Sequence, residues 1–97
     1  MNQDLFKSTL EIIQKDFELT AGASESQIKE FLTAALVQLL LHDLEKLWNI
    51  LYRIDVDELK VKAVFNASDP KEIAPKLAEL IYKRAEQKAL TRLKYGR

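Results

Sequence analysis

"FLTAALVQLLLHDLEKLWNILYRIDVDE", residues 31–58, decides how the chain folds. It reads as a helix, yet apolar residues fall on nearly every side of it. One stripe is Val37, Leu40, Leu44, Leu47, Leu51 and Ile54, spaced three or four apart as one helix face requires. A second is Leu32, Leu36 and Leu39, and a third is Leu41, Trp48 and Tyr52. The polar face is thin: Gln38, His42, Asp43, Glu45, Lys46, Asn49 and Arg53. A helix that is hydrophobic all round is normally covered on several sides.

Length sharpens the problem. Residues 24–54 as one straight helix span roughly 46 Å at 1.5 Å per residue. A compact globule of 97 residues has a radius of gyration near 12.5 Å and a diameter of about 32 Å. Either the helix bends or breaks near His42-Asp43, or part of it packs outside its own subunit. The second option predicts a symmetric homodimer with this helix near the axis. The interface residues expected from it are Leu41, Leu44, Trp48, Leu51 and Tyr52.

The surrounding chain reads as helix too. The only glycines are Gly22 and Gly96, the only prolines Pro70 and Pro75, and Leu, Ala, Glu, Lys and Gln abound. A first helix is expected over Gln3–Leu19, with Phe6, Leu10, Ile13 and Phe17 on one stripe and Leu5, Ile12 and Leu19 on another. Gly22 is the expected stop, since glycine tolerates the left-handed conformation that ends many helices. Ser24 and Gln27 form a capping box at the start of the second helix. Asp55 as N-cap, with Glu58 three residues on, is read as starting a short third helix that ends near Phe65. Asp69, Pro70 and Glu72 start a fourth, which Pro75 either kinks or truly begins and which ends near Tyr95. The fold expected is all-α: one domain, four helices in a bundle-like array, with a long central apolar helix and a short third one.

Composition narrows function. Hydrophobic residues make up 47% and charged residues 31%, which fits a globular protein and not a disordered one. The absence of Cys removes disulfides and thiolate metal sites, and suits a reducing cytoplasm. The opening lacks the pattern of a signal peptide. "FLTAALVQLLL" is short of the roughly 20 apolar residues that span a bilayer. The expectation is a soluble, cytoplasmic protein with no membrane association. Net charge is zero, but residues 70–97 carry eight bases and three acids. That basic end faces something acidic, either a partner or the acidic remainder of the same fold.

Candidate sites are few. His42, Asp43 and Glu45 offer a base or metal ligands. Neighbours one apart point in different directions, however, and His42 with Glu45 supplies only two ligands. A polar helix face is the plainer reading, and only two copies of His42 meeting across a dimer axis would build a metal site. Asp55, Asp57 and Glu58 do not follow the calcium-loop pattern and are accounted for by helix capping. Arg84, Lys88 and Arg92 form a basic stripe, joined by Lys83, Lys94 and Arg97, where an inward face was due to continue. This predicts that the last turns leave the core; these three then bind an anionic partner or, in the plainer reading, are a solvated helix end whose cations complement the helix dipole. An acidic protein ranks above nucleic acid, because the chain as a whole is neutral. There is no Cys nucleophile, no glycine-rich phosphate loop and no Ser-His-Asp arrangement beyond chance. The function expected is a self-associating interaction module without catalysis or cofactor, the alternative being a nucleic-acid-associated protein that uses the basic C-terminal helix.

Overall fold

The computed structural model describes residues 3–19 and 22–95, and the described residues are all-α. The helices are α1 (Gln3–Ile13), α2 (Glu25–His42), α3 (Leu44–Ile54), α4 (Glu58–Ala67) and α5 (Pro70–Tyr95). Arg97, one of the bases of the C-terminal stretch, lies outside the described residues.

α5 is the spine. Its 26 residues extend about 39 Å, which matches the longest dimension of the molecule, 37 Å. α1, α2, α3 and α4 all pack against it. Its inward face is Ala74, Leu77, Ala78, Ile81, Tyr82, Ala85 and Ala89, the three-and-four spacing of one helix side. The alanines let neighbouring helices approach closely, so this face stays buried as far as Ala89. The expectation that the last turns leave the core is therefore corrected in part: Ala85 and Ala89 stay buried with the basic residues flanking them, whereas every residue from Leu90 to Tyr95 is exposed. Pro75 neither starts nor ends α5, which begins at Pro70. An exposed proline near a helix start costs one backbone bond without breaking the helix.

α2 runs antiparallel to α5. Lys29 near its start pairs with Glu79, at 3.3 Å. Val37 and Leu41 near its end lie beside Pro70 and Ile73. α2 buries Ile28, Leu32 and Leu36. Its start is the capping box read from the sequence: Gln27 N–H donates to Ser24 Oγ, and Ser24 N–H donates to Gln27 Oε1.

The long apolar segment is two helices, not one. Asp43 ends α2 and begins α3, with φ −155° and ψ 71°. Its own N–H donates to Leu39 O, closing α2. Its side chain accepts from Lys46 N–H at 3.1 Å, opening α3. The break re-aims the chain. α3 buries Leu47, Ile50, Leu51 and Ile54, whereas Val37 and Leu44, further back on the same sequence stripe, are exposed.

Two further boundaries differ from the sequence reading. α1 stops at Ile13, not Leu19, and the chain turns through residues 14–16. Phe17 and Leu19 still pack against the core from the connecting segment. Gly22 does take a left-handed φ of 82°, but in that connection, well after α1 has ended. Asp55 is not the N-cap of α4; Asp57 is, accepting from Leu59 N–H at 2.9 Å. Asp55 instead closes α3 in the left-handed region, φ 67°. Its N–H reaches Leu51 O and Tyr52 O, and Val56 N–H reaches Leu51 O. That is the Schellman pattern, with Val56 and Leu51 both buried as its usual apolar contact.

Candidate functional site

Of the five residues expected at an interface, four are open to solvent in this single copy. Leu41 is 69% exposed, Leu44 47%, Trp48 43% and Tyr52 86%. Leu51 is 3% exposed and belongs to the core, so the subunit itself occupies it. Val37 adds a further uncovered apolar side chain. These residues follow one another at spacings of three and four across the break at Asp43.

Two clefts flank them. One, about 350 Å³, lies between α3 and α4 and is walled by Trp48, Tyr52, Leu51, Val56 and Val61. The other, about 550 Å³, lies between α2 and α5 and is walled by Val37, Leu40, Leu41, Pro70 and Ile73. Trp48 is braced by Phe65 of α4, ring centres 5.4 Å apart and planes tilted by 30°. Such a braced, half-exposed tryptophan presents both apolar and polar edges.

The three basic residues of α5 all have acceptors within the fold. Arg84 donates through Nε to Asp55 O at 3.0 Å and pairs with the Asp55 carboxylate at 3.2 Å. Lys88 Nζ donates to Ile54 O at 3.2 Å. These are carbonyls at the end of α3, where a helix leaves unpaired acceptors and a partial negative charge. Arg92 pairs with Glu11 of α1 at 3.7 Å. The acidic remainder of the same fold thus takes part of the basic charge.

Lys88 and Arg92 also border a cleft of about 420 Å³ that sequence reasoning missed. Lys15 and Arg53 complete its basic wall, and Ile12 and Ile54 lie beneath. Arg53 forms an ion pair with Asp16, whose side chain is 8% exposed. Lys15 and Arg53 are far from Lys88 and Arg92 in sequence, so no local pattern announces the cluster.

His42 is exposed and borders a shallow cleft with Asp16, Glu18 and Asp43. Among the described residues, no three His, Asp or Glu side chains come close enough to hold a metal. Among those residues, too, no helix is long and apolar enough to cross a membrane.

Lys29 and Tyr82 form the most perturbed titratable pair. Burial alone would lower the Lys29 pKa, but hydrogen bonds to Glu25 and Glu79, and their charges, outweigh it and hold it above the ordinary lysine value. Burial first, then the Glu25 and Glu86 carboxylates, push the Tyr82 hydroxyl up to about 12. Both effects tie α2 to α5 and are structural. No protein-family model, curated protein or solved structure matches the chain.

Proposed function

We propose that this chain is a small helical interaction module that works as a homodimer in the cytoplasm, without catalysis or cofactor. The observation that carries the reading is the uncovered run Val37, Leu41, Leu44, Trp48 and Tyr52. A domain this size has ample polar residues for its surface, with 31% of the chain charged. It nonetheless leaves Val37 and Leu41 of α2 and Leu44, Trp48 and Tyr52 of α3 exposed. Exposed large apolar side chains grouped along a short stretch of chain point to a contact site. Aromatic residues braced from behind, as Trp48 is by Phe65, are the side chains that anchor interfaces.

A second copy is the favoured occupant. A two-fold arrangement brings the same patch onto itself, so each apolar side chain meets another without a dedicated partner. A net charge of zero offers no long-range repulsion between copies. Trp48 is the sole tryptophan, so its fluorescence reports the contact directly. Raising the protein concentration should move its emission to the blue as water leaves the ring. A fixed emission maximum over a range that spans dimer formation would place the contact elsewhere.

A further inference from the structure

The cleft among the ends of α1 and α3 and the second half of α5 has a charge that the rest of the molecule does not share. Lys15, Arg53, Lys88 and Arg92 border it, and among the described residues Asp16 is the one acid in its wall. With Glu11 beside Arg92 at its edge also counted, two formal positive charges are in excess at one concavity of a chain with no net charge. Asp16 is committed to Arg53. Lys88 uses one donor on Ile54 O, and Arg92 reaches Glu11 only at 3.7 Å. An ammonium has three N–H donors and a guanidinium five, so most of the donors here remain unspent. Among the described residues Lys15 has no ion-pair partner.

We propose that this cleft binds a small phosphate-bearing anion. A single carboxylate answers only one of the excess charges. A phosphate group carries roughly −1.5 to −2 near neutral pH, so one phosphate group matches the excess. Guanidinium groups pair with phosphate oxygens through parallel N–H bonds, and two of them stand in this wall. The volume, about 420 Å³, falls in the range of small-molecule sites. Cations drawn from three segments converge on a hollow, a geometry that suits a compact anion better than the extended backbone of a nucleic acid. The cleft shares no wall residue with the two apolar clefts, so this site stands or falls apart from self-association.

The test is a titration of the full chain with inorganic phosphate at low salt, followed by backbone amide NMR. Saturable binding of one phosphate per chain is expected, with the largest shifts at Lys15, Arg53, Lys88 and Arg92. Lys15→Gln together with Arg92→Gln should weaken binding at least tenfold, with helix content unchanged. Glu11→Gln, which releases Arg92, should tighten it several-fold, a gain that misfolding cannot produce. Lys62→Gln together with Lys71→Gln, elsewhere on the surface, should change nothing. Shifts that never saturate, or that fall equally on Lys62 and Lys71, would overturn the proposal. A short single-stranded oligonucleotide that binds more tightly than inorganic phosphate and loses affinity in the Lys15/Arg92 variant would also overturn it, in favour of a nucleic-acid backbone.

Discussion

Lys29 stands with its ammonium 5.1 Å from the centre of the Tyr82 ring. The same ammonium bonds Glu25 at 3.1 Å and Glu79 at 3.3 Å. A cation over an aromatic face is attracted by the ring quadrupole, so this one side chain joins α2 to α5 in two ways.

The pair predicts how the fold responds to alkali. The Tyr82 hydroxyl is held neutral to about 12, against an ordinary 10.0. Its contribution is fully present below pH 10 and is lost as pH rises from there through about 12. The Lys29 pKa is also raised from 10.5, so its contribution fades over the same alkaline region. Stability should fall on the order of 2 kcal/mol between pH 10 and 12 from Tyr82 alone. Denaturant unfolding followed by circular dichroism should show this fall, and Tyr82→Phe should make it shallower. An equal fall in that variant would remove Tyr82 as the cause.

Asp43 should matter more than a surface acid does. It closes α2 and caps α3 at once. Asp43→Ala removes the bond to Lys46 N–H and should cost about 1 kcal/mol. Asp43→Asn keeps an acceptor there and should cost much less. Chemical denaturation of the three proteins decides it; equal stabilities would mean that the cap contributes nothing.

Asp55 adopts a conformation that glycine takes more readily. Asp55→Gly removes the backbone strain but loses the exposed ion pair to Arg84, which is worth little. Asp55→Ala loses the pair and keeps the strain. The glycine variant should be about 1 kcal/mol more stable than the alanine variant. Thermal unfolding of both variants measures the difference, and the reverse order would contradict the Schellman ending.

Ala89 is fully buried on α5, so it tests whether the late turns of that helix are core. Ala89→Leu inserts bulk into a packed seam and should destabilise by about 1–3 kcal/mol. Leu90→Ala, one residue away and exposed, should be close to neutral. Similar small effects at both positions would show that the seam around Ala89 is not packed.

Much of this was readable from local patterns. The Ser24–Gln27 box and the Pro70 start depend on residues within one turn, and both starts fall where the sequence puts them. The break in the long apolar segment was visible only as one of two options. An aspartate on a helix face looks the same whether it is solvated or is capping the next helix. What decides is that α2 and α3 bury different stripes against α5, which is tertiary. The "DVDE" segment holds two carboxylates that both fit a cap, and the choice of Asp57 follows from Asp55 being taken up in ending α3. The basic residues of α5 find partners far away in the chain: Asp55 for Arg84, Ile54 for Lys88, Glu11 for Arg92. No periodicity reports such pairings, nor the placing of Lys15 and Arg53 on the wall of one cleft.

Self-association through the broken apolar helix is the central claim, and sedimentation equilibrium over a wide concentration range tests it most directly. The chain should pass from 11.2 kDa to twice that mass as concentration rises. Leu41→Lys with Tyr52→Lys, at two side chains the fold does not use, should stay at the single-chain mass with unchanged helix content. A wild-type chain that remains at the single-chain mass at every concentration would contradict the account, and so would a dimer that both lysines leave intact.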